Sequence, residues 1–279
     1  MAFKDILLTL TSYPDPTPAS VAEDAVAIAA TFGAHLAAVA CEVHVEVPGH
    51  FLSGSTANIP GIIAGETEKS RNSAKAMLAA FDTAASKAGI LYETQLEKCP
   101  TFAVPDLLVE HARLRDLTIV PVPESYDQWY AEAIIFGSGR PTLVLPEEPR
   151  ARPFQLGTVA VAWDSSRAAA RAVSDAMPLL EKARKVRVVT VVNEKKQEGR
   201  HSAEALAKNL ARHGIDVVLD KVDADGRRIG EVLEAYTAAQ QVDVLVMGAY
   251  GHARWREFIL GGATKSRLSK PPLPILFSH

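Results

Sequence analysis

Gly248 and Gly251, followed after nine intervening residues by Gly261-Gly262-Ala263-Thr264, are the residues of this 279-residue chain whose spacing points to chemistry. They follow a near-continuous apolar run, Val242 to Met247, as expected of a parallel strand covered on both faces. Glycine where a chain leaves a sheet permits positive φ and lets backbone N–H groups approach a ligand with no Cβ between them. Gly261 to Thr264 then opens a helix, Lys265 to Leu268. The unpaired N–H groups and positive dipole end of a helix start suit a phosphate. Two glycine clusters, one at a strand end and one at a helix start, make a polyphosphate cradle; the competing reading is that these glycines serve tight turns. His252 is a donor to an oxyanion when protonated, or a solvated loop residue. Arg254 and Arg256 reach a phosphate or face solvent.

The elements that must position this loop alternate along residues 154–279. Val159 to Trp163 reads as a strand. Ser165 or Ser166 caps a helix from Arg167 to Ala183, with a kink expected at Pro178. Val186 to Val192 is a strand, and His201 to His213 is a helix stopped by Gly214. Ile215 to Val222 is a strand polar enough for an edge. Ile229 to Gln240 is a helix, and Val242 to Met247 and Leu273 to Phe277 complete the sheet. Such alternation with short connections predicts a doubly wound parallel α/β sheet. Ligands in these sheets sit beyond the carboxyl ends of the strands, where the strand order switches. Trp163-Asp164 and Met247-Gly248 fall there. Two readings of Asp164 compete: a carboxylate that anchors a polar ligand, or the N-cap of the next helix. Trp163 is either a stacking surface or core.

The first half repeats the pattern in weaker form. Asp5 to Thr11 matches Gly157 to Asp164, Asp116 to Pro121 matches Asp243 to Gly248, and Pro141 to Leu145 matches Pro274 to Phe277. Units spanning 1–148 and 154–279 are expected, joined by the proline-rich stretch from Pro146 to Pro153. Further elements expected in the first unit are Ile6 to Leu10, a helix near Ser20 to Thr31, a strand from Ala34 to Cys41 and a helix from Glu66 to Lys87. Val47 to Gly65 reads as a long irregular insertion. The cradle is lost here: Pro121-Val122-Pro123-Glu124 removes N–H donors and adds a carboxylate that repels phosphate. Thr11-Ser12 stands where Asp164 stands in the second unit, so this unit lacks both the cradle and the acidic anchor.

The G-x-x-G-x9-G spacing resembles the nucleotide loop of the universal stress protein family. The resemblance spans the second half, with the first half as a degenerate copy. It implies two tandem, mostly parallel five-stranded sheets of the adenine nucleotide alpha-hydrolase-like type. It also implies that the last strands of the two copies, Leu143–Leu145 and Leu273–Phe277, pair as an intramolecular pseudo-dimer. The ligand implied is ATP or another adenine nucleotide, with magnesium, held as a regulator of a stress response. The contacts it implies are Ala162, Asp164, Val191, Met247, Gly248, Gly251, His252, Gly261, Gly262, Ala263 and Thr264. Of these, Asp164 would meet the adenine and ribose end, and Val191 the base. The chain departs from the family at Gly262, where ATP-binding members carry Ser or Thr; the nearest hydroxyl is Thr264. That departure fits the members that bind no ATP and act through protein partners or a small ligand.

The formal charge of −3 divides unevenly: residues 1–150 carry 10 Lys/Arg and 19 Asp/Glu (−9), and residues 151–279 carry 20 and 14 (+6). The unit with the glycine loop is the basic one, which favours an anionic ligand. Basic residues are scattered and not interleaved with aromatics, which gives little support to nucleic-acid binding. No apolar run reaches membrane-spanning length. A start that runs straight into a strand, and only two cysteines, Cys41 and Cys99, predict a cytoplasmic protein with both thiols as small buried hydrophobes. No nucleophile–base pair is present, so at most slow hydrolysis is expected, with Asp164 the only carboxylate placed to hold a metal near the loop. His44 and His50, near Glu42 and Glu46, lack the tight second pair of a metal site. Association of two tandem chains is not readable from the pattern.

Overall fold

The computed structural model describes residues 2–44, 59–123, 129–147, 154–193, 203–249 and 273–279. The first half gives β1 (Asp5–Leu10), α1 (Ala19–Phe32), β2 (His35–His44), α2 (Ile59–Ala88), β3 (Tyr92–Pro100), α3 (Val104–Arg113), β4 (Leu117–Val122), α4 (Trp129–Gly137) and β5 (Thr142–Pro146). The second gives β6 (Thr158–Ala162), α5 (Arg167–Asp175), α6 (Met177–Lys182), β7 (Lys185–Val192), α7 (Ala203–Ala211), β8 (Val217–Asp223), α8 (Ile229–Ala239), β9 (Val244–Gly248) and β10 (Ile275–Ser278).

The ten strands among the described residues form one sheet in the order β3-β2-β1-β4-β5-β10-β9-β6-β7-β8. Pairing is parallel within each half and antiparallel only where β5 meets β10, with Val144 opposite Ile275, Leu143 opposite Leu276 and Thr142 opposite Phe277. This is the expected pseudo-dimer: two five-stranded sheets joined along their last strands. Both faces are covered. One apolar cluster packs α1, α2, α5, α6 and α7 on β1, β2, β6 and β7 through residues such as Ile28, Phe81, Val173, Leu180 and Leu210. The other packs α3, α4 and α8 on the opposite face through Leu108, Ile134, Ile135 and Leu233. Strands buried on both sides read as continuous apolar runs, which is why β4, β6 and β9 were visible in the sequence.

The repeat holds at the level of single atoms. Asp116 donates its N–H to the Asp5 carbonyl at 2.8 Å and accepts from the Lys4 and Asp5 N–H groups at 2.8 and 3.1 Å. Asp243 donates to the Thr158 carbonyl at 2.8 Å and accepts from the Thr158 N–H at 2.7 Å. One aspartate in each half thus fastens the central strand to its neighbour, and Asp5 corresponds to Thr158.

Two expectations need correction. The helix expected from Arg167 to Ala183 is two helices, broken at Ala176. Pro178 lies in the first turn of α6, where its missing N–H costs no hydrogen bond. The Val47–Gly65 segment is not irregular throughout: residues 59–65 are the first turns of α2, and residues 45–58 lie outside the described region. Pro60 falls in the opening turn, where proline is tolerated. β3 escaped the sequence reading because its burial alternates along an edge, unlike the apolar runs of the central strands. The other edge, β8, is the polar strand that was expected.

Arg187 on β7 is only 9% exposed. Its guanidinium binds both Asp220 oxygens on β8, at 2.9 and 3.1 Å, and donates to the Tyr236 hydroxyl on α8 at 3.0 Å. Tyr236 in turn donates to Asp220 at 2.6 Å. Burial, and the neighbouring carboxylate, push the Tyr236 hydroxyl up to about 12. The triad satisfies a charge that would be costly to bury alone and fixes the register of the edge strand.

Candidate functional site at the strand switch

In the second half β6 has β9 on one side and β7 on the other, and the chain leaves it in opposite directions. In folds of this kind ligands sit beyond the carboxyl ends of the strands beside such a switch. Three of the expected contacts lie toward one face of the sheet there: Met247 belongs to the α8-side cluster, and Ala162 and Val191 pack against that cluster. Trp163 points the other way, into the α5–α6 side of the core, and its N–H extends the ladder to the Val189 carbonyl at 2.9 Å. The stacking role for Trp163 is therefore set aside, since side chains alternate across a strand.

Asp164 lies two residues past the end of β6, exposed, and its Oδ1 accepts the Ser166 N–H at 2.9 Å. It is not the N-cap. Ser166 is, with its hydroxyl accepting the Ala169 N–H at 3.1 Å. Asp164 shapes the turn into α5, in which Ser165 has φ of 63°. The start of α5 is pressed against Gly248. A Cβ on Gly248 would stand 2.4 Å from the Ala168 carbonyl carbon and 2.5 Å from the Ala169 nitrogen. Gly248 is thus demanded by helix packing, independently of any ligand. The remaining expected contacts (Gly251, His252, Gly261, Gly262, Ala263 and Thr264), with Arg254 and Arg256, lie outside the described residues.

The matching switch of the first half, between β1 and β4, is built differently. Ser12, at the end of β1, is buried; its hydroxyl donates to the Cys41 carbonyl and pairs with Ser70 Oγ at 2.8 Å. Ser70 accepts from the Val43 N–H at 2.9 Å, so the pair ties α2 to the end of β2. Glu147, just past β5, accepts from the Thr17 hydroxyl at 3.2 Å and donates its N–H to the Val122 carbonyl at 3.2 Å. It holds a carboxyl group over the end of β4. Sequence reasoning passed over Glu147 because it belongs to the linker pattern. Glu124, the carboxylate expected there, lies outside the described residues.

Burial, with Asp15 adding repulsion, pushes the Glu147 carboxyl from an ordinary 4.5 to about 7; the Thr17 hydrogen bond opposes this. A raised acid favours the folded state in its protonated form. Its contribution is intact below pH 4.5 and is lost as pH rises through about 7. Glu147→Gln keeps an acceptor for Thr17 and removes the charge. It is expected to stabilise the protein at pH 8 by about 1–2 kcal/mol, allowing for solvent screening, and to do almost nothing at pH 4. Thermal unfolding at the two pH values checks this; equal shifts at both would count against it.

Between the end of β2 and the first turns of α2 lies a cavity of about 520 Å³, lined by Glu42, His44, Ile63, Thr67 and Arg71 among others. His50 and Glu46 lie outside the described residues. Among the described residues there is no group of three His, Cys, Asp or Glu able to hold a metal ion. Nor, among them, is any helix long and apolar enough to cross a membrane.

The architecture defines a class: a doubly wound α/β pseudo-dimer contained in one chain, with a switch in strand order in each half. No family model and no curated protein matches the sequence. Solved structures do match the fold. A universal stress protein from Archaeoglobus fulgidus is similar over 98% of this chain and 97% of its own, with a TM-score of 0.67 at 14% identity. A putative universal stress protein from Pseudomonas aeruginosa is similar over 99% and 93%, with a TM-score of 0.55 at 14% identity. A functionally unknown protein from the same species is similar over 98% and 92%, with a TM-score of 0.54 at 12% identity. The chain has the universal stress protein fold, in tandem form.

Proposed function

We propose that the chain binds ATP or another adenine nucleotide in the crevice of its second half, as a regulatory ligand in a stress response. One observation supports the reading: Ala162, Val191 and Met247 belong to or pack against one apolar cluster at the switch, and Asp164 lies just past the end of β6. An apolar wall with a few polar groups at its rim suits a base and its sugar. The net charge of +6 in this half supports an anionic ligand. The phosphates would fall to Gly251, His252, Gly261, Gly262, Ala263 and Thr264, with magnesium beside them. Hydrolysis, if any, is slow. The units span 1–148 and 154–279 in a cytoplasmic protein, and the first unit binds no ATP.

The test is native mass spectrometry of the full chain, followed by titration with ATP and magnesium. One nucleotide per chain is expected. Asp164→Ala should weaken it about tenfold or more, as loss of a hydrogen bond to a charged group does. No binding up to millimolar ATP overturns the proposal. Gly262, in the place of Ser or Thr, would then favour an interaction module that acts through protein partners or a small ligand.

A further inference from the structure

The sequence separates its only two cysteines by 58 positions. The fold brings them together. In the parallel register of β2 and β3, Cys41 lies opposite Glu97, and Val43 lies opposite Cys99. Cys41 and Cys99 are thus diagonal neighbours, two residues out of step on adjacent strands, with side chains on the same face. Cys41 belongs to the cluster beneath α3, and Cys99 packs against that cluster. Cys41 is buried, whereas Cys99 is only half buried, which corrects the expectation that both are simple core residues.

We propose that Cys41 and Cys99 form a dithiol that a peroxide converts reversibly to a disulfide. The more exposed Cys99 reacts first. Its sulfur attacks hydrogen peroxide, the O–O bond breaks, and a sulfenic acid and one water form. The Cys41 sulfur then attacks that sulfur, the S–O bond breaks, and the hydroxyl leaves with the Cys41 proton as a second water. Two electrons pass from the thiol pair to the peroxide.

Three features of the fold set the character of this bond. Diagonal neighbours on adjacent strands stand roughly 7–8 Å apart at Cα, at or beyond the span a disulfide bridges without backbone movement. Closing it must therefore shift the end of β3 along β2, since the two strands already stand at hydrogen-bonding distance. β3 is one of the two edge strands and, among the described residues, pairs with β2 alone, so it has a free side along which to shift. A disulfide formed under such strain is easily reduced, which suits a reversible modification and not a structural staple. Burial, with the Glu97 carboxylate adding to it, raises both thiols above their ordinary range, and the hydrogen bond between the two thiols opposes this at Cys99.

The position has a counterpart. β1 Thr9 pairs with Val39, and β6 Ala162 pairs with Val189. Two residues further along lie Cys41 in the first half and Val191 in the second. The oxidisable pair therefore sits at the first-half equivalent of the position that Val191 takes beside the second-half switch.

Full-length protein is treated with hydrogen peroxide, quenched, denatured, alkylated and weighed intact. A product lighter by two hydrogens, with neither thiol alkylated and both restored by dithiothreitol, is expected. Cys99→Ala should leave Cys41 fully alkylatable, and Cys41→Ala should let Cys99 gain oxygen or join two chains. Oxygen added to Cys99 in the wild-type chain, with Cys41 still alkylatable, overturns the proposal. So does a disulfide that forms only once the chain has been unfolded in urea before oxidation.

Discussion

Gly248→Ala is expected to destabilise the full chain by about 3 kcal/mol or more, the range in which an added methyl strikes backbone and not a movable side chain. The added carbon would stand 2.4 Å from the Ala168 carbonyl carbon, well inside van der Waals contact. Relief requires the start of α5 to retreat. That would loosen Ala172 and Val173, which cover the sheet behind it. Gly65 in α2 is the control: a Cβ there meets nothing within 4 Å. Alanine at a helix interior gains up to about 1 kcal/mol over glycine, so Gly65→Ala should match or exceed the wild type. Urea denaturation of the two variants decides the matter. A Gly248→Ala midpoint equal to the wild type would show that α5 does not press on this strand. The same geometry governs the choice of probes for ligand binding. A Gly248 variant loses packing and any ligand together, whereas Asp164→Ala leaves the cap of α5 to Ser166.

Phe277→Ala should cost about 3–5 kcal/mol, the range for a fully buried aromatic truncated in a core. Phe277 has no exposed surface and sits on β10 with Met247 beside it on β9 and Thr142 beside it on β5. It therefore fills the seam between the halves as well as the core of the second. Unfolding followed by circular dichroism should show the drop in midpoint. Retention of wild-type stability would mean that the seam contributes little to holding the chain together.

Much of this arrangement was legible in the sequence because it rests on local period. β6, β9 and β10 are apolar runs, and a run of five or six such residues has few other places to go. The seam followed from matching Pro141–Leu145 to Pro274–Phe277, which makes both segments last strands. The break at Ala176 was less legible: a proline inside a helical pattern kinks one helix or starts a second, and period alone does not distinguish them. What stayed hidden depends on pairing between distant residues. Nothing local marks Arg187 as the partner of Asp220 and Tyr236, or Ser12 as the partner of Ser70. Cys41 and Cys99 meet only because β3 folds back beside β2. Of the candidate site, Ala162, Val191 and Met247 lie toward one face of the sheet and Trp163 toward the other, because a single step along β6 carries a side chain across.

The antiparallel seam between β5 and β10 has a consequence for how such a molecule changes over generations. In a symmetric dimer of identical subunits every substitution occurs twice, so a damaged crevice is damaged in both copies. Here each crevice is written separately. The β1–β4 side could take up Glu147, Ser12 and a thiol pair while the β6–β9 side kept Asp164 and its glycines. Fusion makes division of labour heritable, and it fixes the stoichiometry of the two kinds of half at one to one.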